Sequence, residues 1–250
     1  MNLSDILSNL RKHPDYDGQL VHIENIPSKT GNYAHAQLGL HTILEKALAN
    51  LGLTPMYVHQ AQAIAALFEG ENVMVATPAA SGKSLVYNAI VLDRMLNEGN
   101  STALYIFPSK ALARDQRRVL NEILSCDDNL NKISVATFDG DTGLSERASI
   151  RRSAQIIFTN PDMLHLGILP NHKSWQRFFS KLRYVVLDEA HIYRGVFGSQ
   201  VANVVRRLRR ICNLYGCSPQ FVLSSATIAN PKQHSESLVG LKCTVVKDDN

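Results

Sequence analysis

The chain has 250 residues, with 26 Lys and Arg against 22 Asp and Glu, a formal net charge of +4. Its 45% apolar and 19% charged residues are the balance of a folded domain, which excludes a disordered chain, a collagen-like chain and a coiled coil. The charge alone is too mild to imply a nucleic-acid partner.

Residues 1–54 read as an N-terminal accessory segment. The opening MNLSDILSNLRKH lacks the long apolar stretch of a signal peptide. No apolar run approaches the roughly 18 residues of a membrane span, so a cytoplasmic protein with no membrane partner is expected. The stretch IPSKTGNYAH (26–35) is polar and turn-rich, and HTILEKALANLG (41–52) predicts a helix closed by Gly52. The four cysteines, at 126, 212, 217 and 243, include no CxxC pair. They predict reduced thiols rather than a disulfide framework or a metal site.

From Pro55 onward the pattern changes, and residues 55–250 read as one domain. Short apolar runs occur at 72–77, 102–107, 132–137, 154–159, 183–188, 220–225 and 243–247. Helical stretches lie between them, such as SLVYNAIVLDRML (84–96) and ALARDQRRVLNEIL (111–124). Continuous apolar strands that alternate with helices imply βαβ units and a parallel sheet covered on both faces. An α/β fold with a three-layer arrangement and a mostly parallel sheet of about seven strands is expected. In such sheets ligands bind beyond the carboxyl ends of the strands.

After the first of these runs comes TPAASGKS (77–84), which resembles the Walker A pattern GxxxxGK[ST] with Thr77 in place of the first Gly. Gly82 lets the backbone approach a phosphate, and the helix start favours anionic oxygens. Lys83 can reach the β- and γ-phosphates, and Ser84 can bind Mg²⁺. By itself GKS also fits an exposed turn before a helix. Its position between an apolar strand and an apolar helix argues for the phosphate loop.

The run YVVLDEAH (184–191) sets Asp188 and Glu189 at the end of a buried strand. Adjacent carboxylates there need a cation or hydrogen bonds to offset them. A Walker B role supplies the reason: Asp188 would hold Mg²⁺, directly or through water, and Glu189 would orient or deprotonate the attacking water. An acidic helix start favoured by the dipole is the plainer alternative for the pair taken alone.

With these motifs in order, the chain resembles a superfamily 2 helicase with a DEAH box, over nearly all of residues 55–247. Gln60 in YVHQAQAI matches the glutamine of the Q motif, which reads the adenine edge. TPAASGKS matches motif I, so Thr77, Pro78, Ala79, Ala80, Ser81, Gly82, Lys83 and Ser84 are the implied ATP-binding residues. FPSKALARDQ (107–116) matches motif Ia, while FDGDT (138–142) and TNPDML (159–164) match elements that touch the nucleic-acid backbone. Pro108, Lys110, Thr159 and Pro161 are the implied contacts. DEAH (188–191) matches motif II, which implies Lys83, Asp188, Glu189 and His191 as the catalytic set. SSAT (224–227) matches motif III, with Ser225, Ala226 and Thr227 linking ATP turnover to strand movement. HQAQAI, ASGKS, DGDT and HIYRGVFGSQVANVVRRLRRIC (191–212) are similar to the mitomycin repair factor A type of DNA helicase. The resemblance implies a RecA-like P-loop NTPase domain, ATP and Mg²⁺ as cofactors, and a 3′-to-5′ DNA translocase of repair. Ala79 stands where that group has Thr, which removes one hydroxyl contact.

The chain ends at residue 250, shortly after SSAT, with no sequence resembling the second RecA-like domain such helicases need. An arginine finger from that domain contributes about 10³–10⁵ in rate in related NTPases. The expectation is therefore an isolated first motor half that binds ATP and hydrolyses it poorly alone, partnered by that domain in cis or trans. Its substrate is single-stranded or partly duplex DNA. An RNA-directed helicase and a nucleotide-gated binding module without activity are the alternatives. A GTPase is disfavoured because no NKxD motif occurs. Arg206, Arg207, Arg209 and Arg210 read as a solvated helix face, and Trp175, Phe178 and Phe179 as core.

Overall fold

The computed structural model describes residues 2–24, 31–35 and 38–247. Positions 26–30 of the expected turn-rich stretch lie outside the described residues. The chain divides into two compact units, Met1–Gly31 and Asn32–Asn250. In the first, α1 (Leu3–Arg11) begins with a capping box in which Asn2 and Asp5 satisfy each other's backbone amides.

The second unit begins with two helices, α2 (Thr42–Asn50) and α3 (Val58–Phe68). Seven strands follow: β1 (Val73–Ala76), β2 (Thr102–Ile106), β3 (Val135–Thr137), β4 (Ile156–Thr159), β5 (Leu182–Leu187), β6 (Gln220–Ser225) and β7 (Thr244–Lys247). The intervening helices are α4 (Lys83–Asn97), α5 (Lys110–Leu124), α6 (Asp128–Asn131), α7 (Leu144–Ser153), α8 (Pro161–Met163), α9 (Gln176–Ser180), α10 (Gly195–Leu214) and α11 (Pro231–Val239). All seven expected strands are present. The first is shorter than its apolar run because Asn72 stands outside it. Its side chain donates to the Lys242 carbonyl and accepts from the Phe221 amide, tying the neighbouring strands together instead.

The strands form one sheet in the order β3-β4-β2-β5-β6-β1-β7, and every pairing is parallel. Successive side chains point to opposite faces, so each strand feeds two cores. Ala103, Tyr105 and Phe107 join Leu44, Ile64, Ile90 and Leu120 on one face. Leu104 and Ile106 join Trp175, Phe178, Val205 and Phe221 on the other. Trp175, Phe178 and Phe179 are thus core, as expected. Among the described residues no helix is long and apolar enough to cross a membrane, and all four cysteines are free.

The helix read at 41–52 appears as α2. It belongs to the second unit, where Leu44, Ala47 and Leu48 are buried. Of the α10 arginines, Arg206 and Arg210 are exposed, as expected, while Arg207 and Arg209 are half-buried. Arg209 donates to the Val239 and Gly240 carbonyls at the end of α11 (3.1 and 3.0 Å). Arg206 reaches the Ser237 carbonyl (3.4 Å) and Arg207 reaches His165 (3.5 Å). Long guanidinium stems on a helix flank can reach the unpaired carbonyls where a neighbouring helix ends.

Candidate functional site

The site lies at the carboxyl ends of three neighbouring strands. β5 leads into Asp188 and Glu189, β6 ends in Ser224 and Ser225, and β1 leads into the loop before α4. The acidic box and the phosphate loop are therefore separated by one strand, the one that carries SSAT.

The loop is built from the bottom by side chains. Gly82 sits at the start of α4 with φ +74°, a conformation that suits glycine. A Cβ there would lie 2.5 Å from Gln60 Nε2. Ala80 also has a positive φ, 61°, which is strained for a residue with a Cβ. The Thr77 and Ser81 hydroxyls bond to each other at 2.6 Å. Gln60, buried on α3, accepts from the Tyr57 amide (2.9 Å) and donates to the Gly82 carbonyl (3.0 Å). His59 reaches the Ser81 carbonyl at 3.0 Å, while Pro78, Ala79 and Ala80 are exposed at the loop tip. Tyr33 stacks on Tyr57 at 5.0 Å and Tyr57 on His59 at 5.7 Å.

Lys83 folds back over the loop, its Nζ donating to the carbonyls of Thr77 (3.1 Å) and Pro78 (2.7 Å). Burial pushes its ammonium below the ordinary lysine value, and the Glu189 and Asp188 carboxylates oppose that shift. Ser84 is half-buried in the first turn of α4, where amides have no intrahelical partner.

Asp188 is buried, and both of its carboxylate oxygens have partners. Oδ1 accepts from the Glu189 amide (2.9 Å) and from the Ser224 hydroxyl, while Oδ2 lies 3.2 Å from the Tyr87 hydroxyl. Glu189 is half-buried in the left-handed region, φ 50°. That turn aims its carboxylate toward His191, whose Nδ1 is 3.2 Å from Oε2. The same nitrogen lies 3.4 Å from the Ala226 amide. Unprotonated, it accepts from Ala226; protonated, it donates to Glu189. The Ser225 hydroxyl donates to the Ala226 carbonyl (2.7 Å), and Thr227 is exposed.

The residues expected to touch nucleic acid line up beyond β2 and β4, but their side chains are not equally available. Pro108 is half-buried, and Lys110 pairs with Asp141 of the DGDT loop at 2.8 Å. Pro161 is buried at the first position of α8, which Asn160 caps by accepting from the Met163 amide (2.8 Å). The Thr159 hydroxyl is buried and donates to the Phe138 carbonyl at 2.8 Å. In this conformation it joins the ends of β3 and β4 instead of facing solvent.

Four residues that brace the site are not singled out in the sequence: His59, Tyr87, Gln116 and Ser224. His59, Gln116 and Ser224 fall inside the quoted motifs YVHQAQAI, FPSKALARDQ and SSAT, whereas the signal for Tyr87 is that it lies four residues after Lys83 and thus on the same helical face.

A family model described as DEAD/DEAH box helicase matches residues 57–234. The chain is 48% identical over 207 residues to the uncharacterized ATP-dependent helicase YprA of Bacillus subtilis, covering 83% of this chain and 27% of that protein. It is 42% identical over 250 residues to the ATP-dependent helicase HRQ1 of Saccharomyces cerevisiae, covering 99% of this chain and 23% of the relative. The crystal structure of the DUF1998 helicase MrfA bound to DNA and AMPPNP aligns with a TM-score of 0.88 and 41% identity, covering 100% of this chain and 34% of that one. The chain thus spans about a quarter to a third of the length of these relatives.

Proposed function

The chain belongs to the DEAD/DEAH box helicase family, and on that premise we propose that it is the ATP-binding first motor half of an ATP-dependent DNA helicase or translocase. The observation that carries this reading is the convergence of the phosphate loop, DEAH and SSAT on β1, β5 and β6, with Ser224 bonded to Asp188. The 41% identity to a helicase solved with DNA supports DNA over RNA as the polymer. We assign residues 55–250 to the RecA-like ATP-binding domain and residues 1–54 to an accessory segment. A second RecA-like domain is the partner, and four free cysteines fit a cytoplasmic setting.

The residues present fit ATP and Mg²⁺. The turn at Gly82, which a Cβ would obstruct against Gln60, leaves backbone amides free of side chains that would otherwise keep phosphate oxygens away. The Ser84 hydroxyl and Asp188 carboxylate are the hard oxygen donors that Mg²⁺ takes. When bound, ATP supplies the phosphoryl group transferred to water, and Mg²⁺ offsets its charge.

Each side chain then has a defined task. Lys83 would leave the two loop carbonyls to hold phosphate oxygens, and Thr77 through Ser84 would supply the cradle. Gln60 couples the base side of the site to the loop it already holds. Glu189 takes the proton of the attacking water, and His191 passes the state of Glu189 to Ala226. Lys110, Pro108, Pro161 and the Thr159 region position the strand through its backbone, which carries no sequence code.

Titration with a fluorescent Mg²⁺–ATP analogue, competed with ATP and then GTP, tests the reading. Binding that prefers adenine and requires Lys83 is expected. Equal competition by GTP, or no binding by the folded chain, would overturn it.

A further inference from the structure

We propose that Tyr87 is a positioning residue through which the state of the Asp188 carboxylate is passed to α5, the helix that begins at Lys110. The proposal rests on the assignment of Asp188 to the nucleotide site made above.

Tyr87 is fully buried on α4, one turn beyond Lys83. Its hydroxyl lies between two acceptors, Asp188 Oδ2 at 3.2 Å and Gln116 Oε1 at 3.1 Å. A phenol carries one proton and donates to one acceptor at a time. A buried hydroxyl needs only one partner to be satisfied, so the second acceptor is left with a choice to answer.

Two arrangements follow. When Asp188 keeps its full charge, the charge-assisted bond to the carboxylate is the stronger one. Gln116 then turns its amide so that Nε2 donates to the phenol oxygen. When the Asp188 charge is drawn toward a cation, the phenol donates to Gln116 Oε1 instead. The exchange moves a proton direction and an amide, with no displacement of the ring. The ring itself is fixed: it packs edge-on against Tyr105 at 5.3 Å and 82°. The Tyr105 hydroxyl in turn bonds Asn88 Oδ1 at 3.1 Å. Coupling between sites needs an element with two discrete states that both sites can bias, and this triad is one.

The receiving end is α5. Gln116 lies six positions after Lys110, about 9 Å along the helix. The first turn is capped by Ser109, which accepts from the Leu112 amide, and Lys110 is held on Asp141. A change at Gln116 therefore reaches the segment assigned to the nucleic-acid backbone within one rigid helix.

Tyr87→Phe removes the hydroxyl and keeps the ring. The affinity of the chain for a single-stranded DNA oligonucleotide is measured by fluorescence anisotropy, with and without Mg²⁺ and AMPPNP. In the unaltered chain nucleotide should change DNA affinity by about fivefold or more. In Tyr87→Phe that linkage should fall below about twofold, with each ligand's separate affinity kept within about twofold. Gln116→Leu should give the same loss, and the double variant should add nothing further. As a readout independent of binding, the side-chain amide resonance of Gln116, assigned by its loss in Gln116→Leu, should shift on addition of Mg²⁺ and AMPPNP. It should stay put in Tyr87→Phe. Full linkage in folded Tyr87→Phe, or a Gln116 amide that ignores nucleotide, would overturn the relay. Binding of both ligands without linkage in the unaltered chain would overturn the relay and leave the site assignment standing. No nucleotide binding at all would overturn both.

Discussion

Lys83 holds a partly desolvated ammonium against two loop carbonyls, so removing it relieves a burial penalty as well as a function. Lys83→Ala is expected to weaken nucleotide binding by at least about 100-fold without lowering the thermal midpoint of the unliganded chain; a large drop in midpoint would make the residue structural. Ala80 stands at φ 61°, where a Cβ costs about 1 kcal/mol. Ala80→Gly should therefore raise unfolding stability by up to about 1 kcal/mol in denaturant titrations. Glu189→Gln should spare nucleotide binding and abolish the ATP turnover obtained when the second motor domain is supplied. Residues such as Gly82, Lys83 and Asp188 are legible in the sequence because their chemistry is costly anywhere else. Tyr87 and Gln116 are not. An aromatic in an apolar helix reads as core, and a glutamine on an exposed-looking helix reads as surface until the fold brings α4, α5 and β5 together. Thr159 is the reverse case: its motif implies a nucleic-acid contact, and in this conformation the junction of two strand ends holds its hydroxyl.

At the scale of elements, the first turn of α10 packs tightly on the backbone that follows DEAH. A Cβ on Gly198 would lie 2.3 Å from the Tyr193 carbonyl oxygen, and backbone cannot give way as a side-chain tip can. Gly198→Ala should cost about 2 kcal/mol or more, a fall of about 4–8 °C in thermal midpoint for a chain of this size. Because Tyr193 follows DEAH by two residues, the same variant should weaken nucleotide binding. An unchanged midpoint would mean that α10 slides freely. The strands were legible because all-parallel strands are buried on both faces and read as unbroken apolar runs. The carbonyl partners of Arg206 and Arg209 were not, since a helix flank shows its charge but not the carbonyls in and beyond α11 that the charge will find.

For the whole molecule, the two compact units predict different outcomes for two truncations. Removing residues 1–31 should leave the unfolding midpoint of the remainder within about 2 °C, whereas removing 1–54 strips Leu40, Leu44, Ala47 and Leu48 from the core. Each lost buried Leu is worth about 2 kcal/mol or more, so the longer truncation should unfold well below the shorter one in differential scanning calorimetry. Equal midpoints would mean that α2 adds nothing to the stability of the second unit. Strand order carries a further consequence for how the molecule is made. β1 is written early, yet its partners are β6 and β7, with Val73 opposite Val222 and Thr244. On the ribosome β2, β3 and β4 can pair while β1 still waits without a neighbour. The nucleotide cradle is thus among the last parts to set, and a nascent chain stalled before β6 holds the GKS tripeptide without the strand that carries Ser224 between it and Asp188.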